Sequence, residues 1–228
     1  MRSLGCVIND IADRHWDGGV PRTADRPLVT GLLSVPQAWL CLLALACVAL
    51  GVVLATNRLT VLLSIPALML ALIYPYTKRW FGFPQWVLGC AYAMGTILSY
   101  AAVLNTVPLH SFWLFGAVVF WMVATDTLYA LTDLPYDKQL GIQSFARWLG
   151  DWCQAGIALC HIAMFVCLWC WGQSSGANSW FAVIWLSMIL DCLYQHWALK
   201  QTNRPFQVFK HNAYLALAFI ILAVVGLG

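Results

Sequence analysis

Six of the nine acidic residues in this chain fall into two groups, and all nine are aspartates. The first group is Asp10, Asp13 and Asp17, and the second is Asp126, Asp133 and Asp137. Only 9% of the residues are charged and 62% are hydrophobic, so the chain must be wrapped in lipid rather than water. Because an ionised side chain is costly in lipid, clustering of this kind predicts a functional site.

Each group has the spacing of one helix face. The spacing is four residues within Asn9, Asp13 and Asp17, and seven then four within Asp126, Asp133 and Asp137. At about 3.6 residues per turn, the members of each set lie along one side of a helix. Two helices are therefore each expected to present a strip of side-chain oxygens.

Oxygen strips suit Mg²⁺, which is usually held by a few carboxylates together with substrate phosphates. The expected ligands are Asn9, Asp10, Asp13, Asp17, Asp133 and Asp137. Basic side chains near the two groups could neutralise phosphate oxygens, namely Arg22, Arg26, Lys78 and Arg79. Beside apolar spans, this pattern predicts a lipid diphosphate site. The alternative is that these residues are solvated helix caps, which the convergence of two clusters disfavours.

Seven apolar runs approach the length of about 20 residues that a spanning helix needs. They are Pro36–Thr56, Leu59–Tyr76, Trp86–Leu104, Leu109–Thr132, Trp152–Trp171, Asn178–Leu199 and Phe209–Leu227. We expect one all-α domain over residues 1–228, a polytopic transmembrane bundle with seven full spans. A partial first helix precedes them, because Leu4–Ile8 is too short to span. We expect either that the natural chain begins upstream or that this sequence is a fragment.

Counting spans places both aspartate groups on one side of the membrane. Two spans separate the first group from Lys78, and two more return the chain at Asp133. All but two of the basic residues fall on that side, and only Arg58 is clearly opposite. Positively charged loops stay cytoplasmic, so we expect the site on the cytoplasmic face of a bacterial inner membrane. Membrane lipid is an expected partner, and nucleic acid is not.

Several segments resemble motifs of the UbiA prenyltransferase family. Asn9–Asp17 matches its N-D-x-x-D-x-x-x-D signature, and Arg22–Leu28 resembles the R-T-x-x-R-P-L that follows. Tyr74–Arg79 resembles its Y-P-x-x-K-R loop, and Asp126–Asp137 resembles its D-T-x-Y-A…D-x-x-x-D block. Gly141-Ile142-Gln143-Ser144 stands where the family has G-I-K-S. The likeness covers nearly the whole chain and is greatest to the branch that prenylates 4-hydroxybenzoate in the ubiquinone pathway.

The resemblance implies a nine-helix bundle around a central cavity, of which this chain would lack the first helix and most of the second. It implies that Mg²⁺ bridges the motifs and a polyprenyl diphosphate, and that the allylic carbocation alkylates 4-hydroxybenzoate ortho to its hydroxyl. Asp13, Asp126 and Asp133 are the expected catalytic residues. The expected substrate-binding residues are Asn9, Arg22, Arg26, Lys78, Arg79, Tyr74 and Tyr129. For the two tyrosines, steadying a cation and anchoring at the interface are equally open.

Three departures from the family pattern bear on activity. Asp133–Asp137 stands where the family has D-R-x-D-D, and Pro135 is expected to end or kink the helix there. Gln143 replaces a lysine, and the first helix of the family is missing. We expect the chain beginning at Met1 to be nearly inactive and an upstream extension to restore it. The alternatives are another acceptor (a naphthoate, haem or a chlorin), a transporter, and an inactive remnant.

Asp191 lies inside a predicted span and outside the family motifs, and His196 is not on its helix face. We expect Asp191 to serve helix packing or a water-lined cavity rather than catalysis.

Overall fold

The structure is a computed structural model that describes residues 2–202 and 204–227. Met1, Asn203 and Gly228 lie outside the described residues, and the expected single domain over 1–228 stays a prediction. Within them the chain is helical, with no β-strand. The helices are α1 (Arg2–Asp13), α2 (Pro27–Thr30), α3 (Val35–Leu54), α4 (Arg58–Thr77), α5 (Pro84–Leu104), α6 (Ser111–Leu140), α7 (Phe145–Leu149), α8 (Cys153–Ser174), α9 (Ser179–Thr202) and α10 (Pro205–Leu227).

Seven stretches of the described chain are long and apolar enough to cross a membrane, which confirms the predicted polytopic bundle. They are α3, α4, α5, α6, α7 together with α8, α9 and α10. Each overlaps one of the seven predicted runs. The second aspartate helix differs most, because α6 does not end at Thr132 but continues to Leu140.

Pro135 does not end α6, although an end there is one of the two outcomes expected for this segment. The helix contains Pro135 and finishes only at Gly141, whose backbone is left-handed at φ 73°. Membrane helices tolerate proline because neighbouring groups satisfy the freed carbonyl. Glycine then ends the helix because it adopts positive φ without strain. The consequence is that Asp137 stays on the same helix as Asp126 and Asp133.

Side chains at helix starts tie the spans together. Ser34 and Gln37 form a capping box at the start of α3, which satisfies backbone N–H groups that have no partner within the helix. The Asn57 side chain accepts a hydrogen bond from the Thr60 backbone N–H at 3.0 Å, and its amide donates to the Ala101 carbonyl at 2.6 Å. The start of α4 is thereby fixed to the end of α5.

The long helix α6 is the centre of the bundle and packs against α5, α8 and α10. One apolar cluster surrounds its middle with residues from α5 and α8, including Val123, Leu128 and Ile157. A second joins α8, α9 and α10, with Met164 and Phe181 fully buried. The α1 helix lies apart from these clusters, against α3 and α4. The two aspartate helices are therefore held on opposite sides of a space bounded by α4 and α5.

A hydrogen-bonded network, which we call the α9–α10 network, joins Asp191, Gln195, His211 and Asn212. Asp191 accepts from Gln195 at 2.8 Å and lies 2.6 Å from His211. His196 instead contacts His161 of α8 at 3.0 Å, in agreement with its absence from the Asp191 face. The structure thus places Asp191 in a contact between α9 and α10.

Candidate functional site

The two aspartate strips meet in one cavity of about 900 Å³. Its walls come from α1, α4, α5, α6, the start of α10 and the loops that follow α1 and α6. All the predicted site residues except Arg79 line it, namely Asn9, Asp10, Asp13, Asp17, Arg22, Arg26, Tyr74, Lys78, Asp126, Tyr129, Asp133 and Asp137. The structure therefore brings the two aspartate strips to one cavity, as helical spacing and span counting predicted.

Arg22 joins the loop after α1 to the second strip. Its guanidinium makes a two-point contact with the Asp133 carboxylate, in which Nε donates to Oδ1 at 3.2 Å and Nη2 donates to Oδ2. The same guanidinium lies 4.2 Å from the centre of the Tyr129 ring. Burial is the largest single effect and lowers the pKa of Arg22, but the hydrogen bond with Asp133 and the charges of Tyr129, Asp133 and Asp17 together outweigh it and leave the pKa raised. Arg22 therefore stays charged inside the cavity.

Two more basic residues clamp the first strip. Lys78 Nζ, at the end of α4, lies 2.5 Å from Asp13 Oδ2 and 3.1 Å from Asn9 Oδ1. Arg26 Nη1 lies 2.8 Å from Asp10 and 2.7 Å from Asp17. These contacts fix α1 against α4 and fold the following loop back over the strip.

Burial raises the pKa of Asp10 and the pKa of Asp17 above the ordinary value, although Arg26 pulls in the opposite direction. Loss of water around the two carboxylates therefore outweighs their ion pairs. A further positive charge nearby would therefore stabilise the ionised form of both acids.

The cavity has more acids than bases. Six carboxyl groups and three basic side chains line it. Asp13 Oδ1 is buried and lacks a hydrogen-bond partner among the described residues, and Asp126 makes no ion pair within the same ranges. A phosphate-bearing ligand would add further negative charge, which a divalent cation would balance.

The donor set of the cavity fits Mg²⁺, because every candidate ligand is an oxygen atom. In the described part of the chain, however, no three His, Cys or Asp side chains are already grouped as a metal cage. Lys78, Arg26 and Arg22 each form an ion pair with a carboxylate that would otherwise be free to bind a metal. Metal binding would require these pairs to separate, whereas Asp13 Oδ1 is buried without a hydrogen-bond partner and Asp137 makes no ion pair among the described residues.

Arg79 does not line the cavity, in contrast to its neighbour Lys78. Its Nη2 donates to the Ala12 carbonyl at 3.1 Å, and its guanidinium lies 4.7 Å from the Trp16 ring centre and 5.0 Å from that of Tyr76. A cation at the last carbonyls of a helix complements the helix dipole. Arg79 thus anchors the end of α1, and its position gives no support to a direct phosphate contact.

The two predicted tyrosines lie in the cavity wall rather than on the lipid surface. Tyr74 lies 5.7 Å from Lys78 Nζ, and Tyr129 packs 4.9 Å from Phe209. Tyr76, one residue beyond Pro75, faces outward and is 42% exposed. This placement favours a role at the cavity over interfacial anchoring for Tyr74 and Tyr129.

Below the charged residues the cavity is apolar. Small or flexible side chains from α4, α5 and α6 form this part, namely Ala67, Ala71, Leu88, Ala91, Met94, Gly95, Leu98 and Met122. A Cβ added at Gly95 would meet no atom within 4 Å, so the space beside it is open. An amphipathic ligand with a charged head and an apolar tail matches this division.

Sequence reasoning missed several residues of the cavity wall. Gln85 follows Pro84 at the start of α5, and Ser144 caps α7. Both are buried beside the cavity. The available signal was weak, because a single glutamine at the start of a predicted span is an ordinary helix-start residue. Only the packing of the α6–α7 loop against α5 brings the two together.

A multi-pass helical bundle that encloses acids, bases and an apolar chamber defines an intramembrane protein acting on an anionic lipid. A sequence profile described as the UbiA prenyltransferase family matches residues 1–218. The chain belongs to this family, and it is a prenyltransferase by that membership.

Named relatives are similar over most of their length. The chain is 42% identical over 214 residues to a 4-hydroxybenzoate octaprenyltransferase of Nitrosomonas eutropha, covering 93% of this chain and 75% of the relative. It is 40% identical over 230 residues to the protein of that name from Actinobacillus pleuropneumoniae serotype 5b, covering 100% of this chain and 78% of the relative.

Solved structures share the fold. A UbiA homolog from Aeropyrum pernix K1, in its apo form, superposes with a TM-score of 0.86 at 26% identity, over 98% of this chain and 84% of that one. A UbiA homolog from Archaeoglobus fulgidus bound to GPP and Mg²⁺ gives a TM-score of 0.68 at 19% identity, over 97% and 83%.

Proposed function

We propose that this chain transfers a polyprenyl group from an allylic polyprenyl diphosphate to a ring carbon of 4-hydroxybenzoate, a step of ubiquinone biosynthesis. The observation that carries the proposal is the meeting of the two aspartate strips above an apolar chamber in one cavity. The name shared by relatives at about 40% identity supports the choice of acceptor.

In this proposal the basic residues of the cavity bind the diphosphate. Arg22 offers a planar guanidinium suited to two phosphate oxygens, and Lys78 and Arg26 offer their charges from the opposite wall. Each now pairs with a carboxylate. The substrate would exchange these pairs, so that phosphate oxygens take the bases and the released carboxylates of Asp13, Asp17 and Asp133 become metal ligands.

Mg²⁺ is the proposed cofactor, held by Asn9, Asp10, Asp13 and Asp17 from one strip and by Asp133 and Asp137 from the other. Bound there, the ion would neutralise the diphosphate and make it a better leaving group. The relevant support is the excess of acids over bases in the cavity, together with the GPP and Mg²⁺ bound by the Archaeoglobus fulgidus homolog.

The remaining residues act on the organic part of the reaction. The faces of Tyr74 and Tyr129 carry the negative electrostatic potential of an aromatic ring and can stabilise the allylic cation. Asp126 lines the cavity and lacks a basic partner among the described residues. We assign it the proton that the aromatic ring loses when the new carbon–carbon bond forms.

The test is prenyl transfer by membranes that contain the chain, with Mg²⁺, farnesyl or octaprenyl diphosphate, and a panel of acceptors. The expected product, identified by mass, is 4-hydroxybenzoate with the prenyl group ortho to the hydroxyl. Membranes with Asp126→Asn and Asp133→Ala serve as controls for background transfer. Transfer to a dihydroxynaphthoate or to haem, with none to 4-hydroxybenzoate, would replace the proposed acceptor.

We further propose that the cavity opens to the cytoplasmic side of a bacterial inner membrane. The basic residues at the C-terminal ends of α4, α6 and α9 and in the loops that follow them support this orientation. Single cysteines at the exposed Thr56 and Asp151, in a background without native cysteines, test it. An impermeant thiol reagent added outside spheroplasts should label Thr56→Cys and leave Asp151→Cys unmodified, and the reverse pattern would invert the topology.

A further inference from the structure

Gln85 is buried in the cavity wall with half of its amide group unused. The residue is 3% exposed, and its Oε1 accepts a hydrogen bond from the Phe145 backbone N–H at 2.8 Å. Because a backbone N–H requires an acceptor, this bond settles which amide atom points to Phe145. The Nε2 group is left on the cavity side, and within residues 2–202 and 204–227 it has no hydrogen-bond partner.

The loop beside Gln85 presents a second free donor. Ser144 is 4% exposed and lines the same cavity. Its Oγ accepts from the Arg147 backbone N–H at 3.2 Å, so its own hydroxyl hydrogen remains to be donated. The loop is held in place because the Gln143 backbone N–H donates to the Lys78 carbonyl at 2.9 Å. Two uncharged donors therefore lie in a fixed wall next to the residue that binds the first aspartate strip.

We propose that Gln85 Nε2, assisted by the Ser144 hydroxyl, binds an anionic oxygen of a substrate, while Gln85 Oε1 holds the α6–α7 loop. The anionic oxygen belongs either to the diphosphate or to the carboxylate of an aromatic acid. This inference rests on the proposed function. Because Nε2 is open to the cavity rather than buried without a partner, a substrate oxygen can accept from it without adding positive charge.

Two substitutions separate the binding role from the loop-holding role. Gln85→Glu keeps an oxygen for the Phe145 N–H but replaces the donor with a negative oxygen that repels an anion. Gln85→Met has a similar size and removes both functions. Gln154→Glu makes the same chemical change at an exposed position at the start of α8 and is the matched control. Each purified protein is studied at pH 8, well above the ordinary pKa of a glutamate.

Inorganic diphosphate with MgCl₂ and 4-hydroxybenzoate are the two probes. Protection against thermal unfolding gives the affinity for magnesium diphosphate without any turnover, and steady-state transfer gives KM for 4-hydroxybenzoate. A hydrogen bond to a charged group corresponds to about ten- to a hundredfold in affinity. We expect Gln85→Glu to lose that factor for one probe and to keep the thermal stability of Gln154→Glu.

The affected probe identifies the oxygen. Weaker binding of magnesium diphosphate assigns Gln85 to the leaving group, and a raised KM for 4-hydroxybenzoate alone assigns it to the acceptor carboxylate. Wild-type affinity of Gln85→Glu for both probes, with a lowered melting temperature for Gln85→Met, would overturn the proposal and leave Gln85 as a loop anchor. If the wild type transfers nothing to 4-hydroxybenzoate, the proposed function fails. An unchanged affinity of Gln85→Glu for magnesium diphosphate would then overturn this inference separately.

Discussion

The cavity and the α9–α10 network both concentrate polar side chains inside a membrane bundle. They differ in how many of their polar atoms are left without a hydrogen-bond or ion-pair partner. Around the cavity, Asp13 Oδ1 has no partner and Asp126 has no base among the described residues. In the network, both oxygens of Asp191 are occupied by Gln195 and His211.

Asn212 completes the contrast. Its Oδ1 accepts from Trp121 and Thr125, each at 3.3 Å, and its Nδ2 donates to Gln195 at 3.1 Å. Polar groups that satisfy one another stabilise helix packing in lipid. Polar groups that face a cavity with bonds to spare are available to a ligand. The comparison therefore assigns binding to the cavity and packing to the network. Outside both, His161 Nε2 on α8 is buried and has no hydrogen-bond partner among the described residues.

The largest expected effect is loss of turnover when a carboxylate of the cavity is removed. Asp13→Asn and Asp133→Asn should each lower kcat by roughly 10²–10³-fold, the usual cost of removing one preorganised group that stabilises charge. Asp191→Asn is the matched variant in the network and should keep activity near the wild type. The measurement is the rate of prenyl transfer per amount of folded protein. A comparable loss in all three variants would erase the distinction between the two regions.

Removal of the metal should affect the cavity and leave the α9–α10 network unchanged. Chelation by EDTA is expected to abolish transfer, and added Mg²⁺ should restore it, because the acids of the cavity outnumber its bases. The melting temperature should respond to Mg²⁺ in the wild type and in Asp191→Asn, and much less in Asp13→Asn, since ligands stabilise the state that binds them. Transfer that continues in EDTA would contradict the metal-dependent mechanism.

An intermediate effect is expected at Arg22, the residue in the loop after α1 whose guanidinium contacts Asp133 of the second strip. Arg22→Gln should raise KM for the prenyl diphosphate by about ten- to a hundredfold, because a charge-assisted contact to phosphate is lost. KM for 4-hydroxybenzoate should change less. Arg79→Gln is informative beside it, since Arg79 contacts the end of α1 rather than the cavity. We expect Arg79→Gln to lower the melting temperature, and a selective rise in KM for the diphosphate would instead return Arg79 to the site.

A smaller effect on stability should mark the network. Asn212→Leu removes the acceptor of Trp121 and Thr125 and the donor to Gln195. Interhelical hydrogen bonds in membranes contribute about 1 kcal/mol, so the variant should unfold at a lower temperature while KM for both substrates stays within about twofold of the wild type. Thr125 contacts Asn212 and also lines the cavity, so any effect of Asn212→Leu on the reaction should act through Thr125. A collapse of kcat with an unchanged melting temperature would show that the network serves the reaction.

The two regions also show which features could be predicted from the sequence alone. Helical spacing and span counting were enough to bring Asp13 and Asp133 to one cavity, because both depend only on the period of a helix and the thickness of a bilayer. They could not show that Arg79 turns away from Lys78, since two adjacent residues diverge according to how the end of α1 docks. They also could not show that α6 continues through Pro135, because neighbouring helices compensate for the lost hydrogen bond.

The smallest effect expected is a pH dependence of stability at Asp17. Burial raises the pKa of this acid, and Arg26 opposes that shift. Since the folded pKa exceeds the unfolded value, the buried charge costs stability at neutral pH, and that cost disappears as the pH falls through the folded pKa. Asp17→Asn mimics the neutral acid, so its melting temperature should exceed that of the wild type at pH 7, and the difference should shrink toward pH 4. Asp25→Asn, outside the cavity lining, controls for the loss of one charge. Thermal unfolding in detergent at a series of pH values, without Mg²⁺, gives both differences. A gap that widens on acidification would mean that the ion pair with Arg26 outweighs burial, and that the first strip is as well satisfied as the α9–α10 network.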